Sequence, residues 1–135
     1  MAKQSGLAWT TCSVDDSGGV VRAIVNDITN LTISTPRAEL DITGLDKSAR
    51  ERLLLLADML VGLNGVFNVT ANASHDVFKT VPSTSVARTV TETIGGKTLA
   101  GELYFTDYNL TRGADGSFTF TAPGVLADGT VPTWA

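Results

Sequence analysis

The chain has 135 residues, enough for one domain spanning residues 1–135, and ten Lys and Arg against 14 Asp and Glu give a net charge of −4. Its basic residues are scattered, whereas tight nucleic-acid binding generally needs clustered cations that neutralise phosphates. The single cysteine, Cys12, excludes an internal disulfide and cysteine-rich metal motifs.

The hydropathy pattern argues against a membrane protein. The longest apolar stretch, LLLLADMLVGL, is too short and too charged to span a bilayer. The N-terminal segment contains no apolar run of the kind found in signal peptides. We therefore expect a soluble protein, made in a cytoplasm, with no membrane insertion.

Four short segments of the first half have the composition of β-strands and are separated by turn residues. Chains with many such strands usually form a sandwich or a barrel. The expected fold class is mostly β: an antiparallel β-sandwich or barrel with one flanking α-helix. The four segments are LAWTTCSV (7–14), VVRAIV (20–25), ITNLTIS (28–34) and RAELDIT (37–43).

The flanking helix is predicted over about residues 46 to 56. Thr43 or Asp46 can cap its first N–H groups, and the Ala, Arg, Glu and Leu that follow favour helix over strand. Ala49, Leu53 and Leu56 would lie on one face by the i, i+3, i+4 rule.

Four consecutive leucines, however, do not fit one helix face. Leu53, Leu54, Leu55 and Leu56 would sweep most of the way round the helix axis. Two interpretations follow: burial inside the domain with one leucine exposed, or coverage of the outer face by another copy of the chain. On the second interpretation these leucines are a candidate subunit interface.

Beyond the leucines, MLVGLNGVF (59–67) can resume as a strand that Asn64-Gly65 turns or bulges. Two further strand segments, 85–94 and 97–112, flank Gly95-Gly96, a strong signal for a two-residue hairpin. With the alternating SFTFTAPG (117–124) they predict a three-stranded antiparallel meander.

The predicted hairpin has one polar face. A two-residue turn pairs Thr93 with Thr98, Thr91 with Ala100, and Thr89 with Glu102. The opposite face carries Val90, Ile94, Leu99 and Leu103, together with Glu92 and Lys97.

His75, the only histidine, lies between Ser74 and Asp76. Chain neighbours rarely form a catalytic triad, because the three side chains must converge on one atom. The preferred interpretation is a short helix, opened by Ser74 or Asn72 and ending near Lys79. A small hydrolase using His75 is a minor alternative. No catalytic, cofactor-binding or metal motif is recognised, so we expect a chain that is not an enzyme and has no cofactor.

The order of several segments resembles the major tail tube proteins of long, non-contractile-tailed phages (siphophages), especially those of actinobacteria. The resemblance runs from about Trp9 to Trp134. It rests on the segments ISTPRAELDITGLDKSARERLLLLAD, LNGVFN, SHDVFKT and FTDYNLTRGADGSFTFTAPGVLADGTVPTW.

This resemblance implies a structural virion protein with a tail-tube-like domain. Subunits of that family close into hexameric rings, and stacked rings form the hollow tail that conducts DNA into the host. The implied partners are other copies of the chain, the tape measure protein, and the tail terminator and tail-tip proteins. Genomic DNA would pass through without specific binding, and the implied location is the virion tail, assembled in the cytoplasm of the bacterial host.

Two sets of residues acquire candidate roles from this resemblance. Thr89, Thr91, Thr93, Thr98 and Glu102 form a candidate lumen face, with an ordinary solvated sheet face as the alternative. Trp9 and Trp134 are candidate inter-ring contacts, unless they close the core of their own domain. The alternative function is a monomeric β-sandwich that acts as a binding or decoration module of the virion.

Overall fold

A computed structural model describes residues 3–135 as mostly antiparallel β-structure with one short α-helix. The helix, α1, spans Ser74–Phe78. The ten strands, in chain order, are β1 (Trp9–Asp15), β2 (Val21–Ala23), β3 (Ile28–Ser34), β4 (Arg37–Asp41), β5 (Arg52–Ala57), β6 (Leu60–Val66), β7 (Arg88–Ile94), β8 (Lys97–Phe105), β9 (Asn109–Arg112) and β10 (Phe118–Leu126).

Eight strands form one sheet and two form another. The large sheet runs β2-β1-β7-β8-β10-β6-β3, with β9 also paired to β10, and β4 pairs with β5 separately. Alternate residues of strands from both halves of the large sheet enter one apolar core, which includes Val14, Leu63, Val90 and Leu103. Because side chains of a strand alternate between faces, this single core requires the sheet to curl over itself.

The hairpin of β7 and β8 confirms the predicted turn and register. Gly95 and Gly96 have φ values of 58° and 81°, which side chains other than glycine rarely tolerate and which a type I′ turn requires. Thr93 pairs with Thr98 and Thr89 with Glu102. The third strand, β10, pairs with the end of β8, which confirms the antiparallel meander. The strand predicted over residues 97–112 is, however, divided into β8 and β9, and β9 pairs with β10 as well.

Helix α1 confirms the short helix predicted around His75, although its cap differs from the prediction. The N-cap position is Ala73, which makes no side-chain capping bond. The remote carboxylate of Asp27 accepts hydrogen bonds from the Ser74 backbone N–H at 3.0 Å and from Asn68 Nδ2 at 2.8 Å. A buried acid from the other half of the chain thus satisfies the start of the helix.

Arg88 fixes the far end of this segment. Its buried guanidinium donates to the backbone oxygens of Val77 and of Asp15, and to Thr80 Oγ1 at 2.9 Å. Burial lowers the pKa of Arg88, and the nearby carboxylates of Asp16 and Asp15 oppose that shift. Three acceptors therefore offset the cost of burying the cation.

The prediction of a helix over residues 46 to 56 is wrong. Residues 52 to 57 form β5, and the chain from Ile42 to Glu51 is the loop that joins it to β4. Pairing with β4 outweighs the helix propensity of the leucine run, because β5 gains ladder contacts with a strand that the local sequence does not encode. Neither Thr43 nor Asp46 caps a helix.

The Asn64-Gly65 pair does not turn the chain. Strand β6 continues through both residues, and the irregularity lies in the facing strand β3, between Ile28 and Asn30. A Cβ atom on Gly65 would lie 2.3 Å from the Asp27 backbone oxygen and 2.8 Å from Phe120 Cε1. Only glycine lets β6, Asp27 and Phe120 come this close.

We expect Gly65→Ala to lower the free energy of unfolding by about 1–3 kcal/mol or more, because the backbone oxygen of Asp27 cannot move away without disturbing α1. Urea denaturation measures the change. Gly62→Ala, in the same strand, is the control: its Cβ would meet only Thr32 Oγ1, at 3.2 Å. Equal stability of the two variants would contradict the proposed close approach.

Candidate assembly surface

Strands β4 and β5 form an arm that continues the ladder of β3 and β6. The register of that ladder ends with Ser34 opposite Leu60, and the chain crosses Pro36, whose backbone oxygen accepts a hydrogen bond from Asp58 N at 2.9 Å. Pairing then resumes with Arg37 opposite Ala57. We call residues 37 to 57 the arm. At about 3.3 Å per residue, its strands reach roughly 20 Å along the chain.

Hydrogen bonds order the loop at the end of the arm. Thr43 Oγ1 accepts from the Glu51 backbone N–H at 2.8 Å, and the Asp41 carboxylate accepts from both the hydroxyl and the backbone N–H of Thr43. Arg50 also bonds to Asp41. These bonds, those from Thr43 first, lower the pKa of Asp41, which therefore stays ionised in the folded arm.

The arm has an apolar face and a mixed face. Residues directly opposite in an antiparallel pair share a face, and alternate residues of one strand do so too. Leu40 is opposite Leu53 on the apolar face. Glu39 is opposite Leu54 on the mixed face, where Arg52 Nε forms an ion pair with Glu39 Oε1 at 3.6 Å. The register shifts between these pairs and Arg37 opposite Ala57, so the alternation is interrupted at Leu55 and Leu56.

All four sequence-predicted interface leucines are exposed. Leu53, Leu54, Leu55 and Leu56 are 49, 60, 42 and 87% accessible in the single chain. Leu53 and Leu54 lie on opposite faces of the arm. An isolated two-stranded sheet is marginally stable in water, and contiguous exposed apolar side chains are characteristic of interaction surfaces.

The candidate lumen face is a half-buried, hydroxyl-rich surface. Thr89, Thr91, Thr93, Thr98 and Glu102 are all partly exposed. Thr93 Oγ1 lies 3.2 Å from Thr98 Oγ1, and Thr89 Oγ1 donates to the Glu102 carboxylate. Strands β7 and β8 therefore bring the predicted set together on one face.

The two tryptophans occupy different environments. Trp9 is partly buried, and its indole Nε1 donates to the Glu92 carboxylate at 2.8 Å. Trp134 is half exposed and bridges β8 opposite Leu99, where the neighbouring Ala135 exchanges two backbone hydrogen bonds with Thr98. Trp9 is thus bonded within its own chain, whereas much of the Trp134 ring is free on the surface.

Two buried polar residues of the core, Arg88 and Glu92, were not identified from the sequence. Arg88 was not singled out, and Glu92 was placed on the apolar hairpin face without a partner. Arg88 lies two residues before Val90 in β7 and Glu92 two residues after it, and this alternation in phase with Val90 is the signal that could have found them.

The side chains around His75 have separate partners. His75 Nδ1 lies 3.2 Å from the Tyr108 hydroxyl, Ser74 Oγ lies 3.3 Å from the Val66 backbone oxygen, and Asp76 binds Lys79 and the Asn72 backbone N–H. The three neighbours therefore do not converge as a nucleophile, base and acid would. These contacts instead tie α1 to the surrounding loops.

Within residues 3–135, no group of three or more His, Cys, Asp or Glu side chains could hold a metal ion. No helix in this part of the chain is long and apolar enough to cross a membrane.

Comparison with known proteins identifies the fold. No protein-family model matches the sequence, and no curated protein matches it significantly. A chain in the structure of the tail of an empty gene transfer agent (GTA) particle, computed with helical refinement and C6 symmetry, superposes with a TM-score of 0.76 at 16% identity. The match covers 98% of this chain and 99% of that one.

A chain in the virion of a native GTA particle matches with a TM-score of 0.72 and 15% identity, again over 98% of this chain and 99% of that one. The two matches span essentially the full length of both partners, so the arm and the sheet belong to one shared architecture. The chain therefore has the fold of a protein found in GTA tails.

Because the arm leucines lie outside the core, Leu54→Ala should change the free energy of unfolding by less than about 0.5 kcal/mol. The same substitution at the fully buried Leu63 should cost about 2–5 kcal/mol. Urea denaturation of dilute protein compares the two variants. A large loss for Leu54→Ala would show that the arm contributes to the core of its own subunit.

Proposed function

We propose that the chain is the tube-forming subunit of a phage-like tail. Copies associate into rings, hexameric as in the C6 tail of the structural neighbour, and the rings stack into a hollow tube that conducts DNA into the host. The observation that carries this proposal is the full-length match to a GTA tail chain. The role is structural rather than catalytic, and its location is the tail of a virion.

The exposed arm supports self-association. Ring closure needs heterologous contacts, in which two different patches of each subunit meet. The arm supplies one such patch, since burying a leucine side chain completely is worth roughly 1.5–3 kcal/mol. We assign residues 53 to 56 to a contact with another copy of the chain.

The threonine-rich face of β7 and β8 is proposed to line the lumen. Its hydroxyls and the Glu102 carboxylate present no cation to bind phosphate, and the chain as a whole has a net charge of −4. DNA would pass such a wall without persistent ion pairs or sequence-specific contacts.

The remaining contacts are proposed on the same basis. The exposed part of the Trp134 indole is suited to a contact between stacked rings of subunits. Trp9 would take part in the same contact while its indole N–H stays bonded to Glu92. In a tail, the tube would enclose a tape measure protein and end at terminator and tail-tip proteins.

Assembly is tested by concentrating the purified protein and imaging it by negative-stain electron microscopy. We expect rings or tubes for the parent chain. Leu54→Glu and Leu55→Glu should each leave a folded single subunit that does not assemble, because a carboxylate cannot be buried unpaired in an apolar contact. Analytical ultracentrifugation measures the loss.

Val69→Glu is the matched control, since Val69 is 69% exposed and lies outside the arm. It should assemble like the parent. Single subunits of the parent at every attainable concentration would contradict the tube proposal and favour a monomeric binding or decoration module. Normal assembly of both leucine variants would contradict the role of the arm.

The lumen proposal is tested with Thr91→Cys in assembled tubes, in a Cys12→Ala background. A small maleimide should react because it can diffuse along the bore, whereas streptavidin should not bind a biotin attached there. Streptavidin bound along the outer wall would contradict the lumen assignment. Loss of maleimide reactivity on assembly would instead place Thr91 in a subunit contact. Val69→Cys gives the comparison for an exposed apolar position.

A further inference from the structure

Glu92 is a buried acid with an incomplete set of hydrogen bonds. Its side chain is fully inaccessible, Oε2 accepts from Trp9 Nε1 at 2.8 Å, and Oε1 has no hydrogen-bond partner. An ionised carboxylate can accept about four hydrogen bonds, so the ionised form would be poorly satisfied here. A protonated carboxyl group loses less when it is buried in this way.

The surroundings of Glu92 offer no compensating cation. On β1 its cross-strand partner is Cys12, whose thiol pKa is raised by burial and by Glu92 itself. On β8 the opposite residue is Leu99, and no ion pair reaches Glu92 among residues 3–135. The other two buried charged residues of the described chain are bonded elsewhere: Asp27 to Asn68 and Ser74, and Arg88 to backbone oxygens and Thr80.

A groove of about 300 Å³ lies beside this site. Trp9 and Cys12 line it from β1, and Val25, Ile28 and Leu31 line it from the other side. No charged residue is among these groove residues. The groove gives water a route toward Glu92 once Trp9 moves.

Trp9 is attached to the sheet by a hinge-like connection. The register between β1 and β7 is interrupted between Trp9 and Thr11, so Trp9 lies beyond a bulge at the very start of β1. The exposed segment before it makes a single 3-10 turn, Gly6–Ala8, and is held mainly by the hydrogen bond from Gly95 N to Ala8 O at 2.9 Å. Rotation about the bulge would uncover Glu92 while the rest of β1 stays paired.

We propose that Glu92 and Trp9 form a pH-dependent latch, in which protonated Glu92 keeps the segment preceding β1 docked on the sheet and ionised Glu92 releases it. Ionisation strengthens the hydrogen bond from Trp9 Nε1 to Oε2, yet the ionised Oε1 also needs water as a hydrogen-bond donor. Release of the segment that precedes β1 would let that water reach Oε1. The latch is a property of the folded subunit and does not depend on the proposed assembly.

The direction of the pH dependence follows from the environment. Burial raises the pKa of Glu92 from its usual 4.5 to about 7, against smaller opposing effects of Trp9 and Cys12. In the released state water reaches Glu92, so its pKa returns toward the usual value, and below that value the docked and released states are both protonated. As the pH rises from about 4.5 toward 7, the released state ionises first, so the docked state loses stability across this window and remains weaker above it.

Fluorescence of Trp9 reports the latch directly. In Trp134→Phe, Trp9 is the only tryptophan. Between about pH 4 and about pH 8, we expect its emission to shift to the red and its quenching by acrylamide to rise, with a midpoint between about 4.5 and 7 and an unchanged far-UV circular dichroism spectrum. Trp9 fluorescence that does not change across this range would overturn the proposal.

Glu92→Gln in the same background is the matched control, because the amide oxygen can still accept from Trp9 Nε1 but cannot ionise. It should show no transition. His75→Asn, which removes the only histidine, should keep the transition, because His75 contacts Phe67 and Tyr108 rather than Trp9 or Glu92. A transition that persists in Glu92→Gln, or disappears in His75→Asn, would overturn the proposal.

NMR keeps the proposal testable if Glu92→Gln does not fold. In the parent chain, the carboxyl resonance of Glu92 and the indole N–H resonance of Trp9 should titrate together, well above the usual pH range of a glutamate. A Glu92 resonance that titrates in the usual range, or a Trp9 indole resonance that does not follow it, would overturn the latch.

Discussion

The pairing of β6 with β10 is the constraint on which the rest of the structure depends. It runs without interruption from Thr119 opposite Val66 to Val125 opposite Leu60, and it joins residues 53 to 65 positions apart in the chain into one sheet. The free edge of β6 then pairs with β3, and the same two chain segments continue outward as the arm. The orientation of the arm relative to the core therefore follows from where β6 sits.

The same strand organises the buried polar groups. Gly65 in β6 leaves room for the Asp27 backbone, and the Asp27 carboxylate holds the first turn of α1. The end of α1 is held by Arg88 from β7, the other half of the sheet. A five-residue helix is too short to be stable alone, so these two remote side chains substitute for the cooperativity that a longer helix would supply.

Local signals in the sequence predict local structure well. Gly95-Gly96 determines the turn, its register and the pairing of the threonines, because all of these are decided within a few residues. The helix predicted for the leucine run was wrong for the opposite reason. Its residues favour a helix locally, but their partner is a strand that begins at Arg37, and only the completed fold reveals that pairing. Glu92 is similar, since its hydrogen-bond donor, Trp9, lies 83 residues away in the chain.

The residues that stabilise the fold and the exposed apolar residues of the arm are different sets. The core draws on β1, β3, β6, β7, β8, β10 and α1, whereas the arm contributes no side chain to that core. Four successive leucines on a strand expose apolar surface on both faces of the arm, a pattern found where a strand is covered from two sides. In the isolated chain the four leucines remain 42–87% exposed. Under the proposed assembly, coverage by neighbouring copies would give the arm the second layer that a two-stranded sheet needs, and it would explain why a chain with a complete core carries so much exposed leucine.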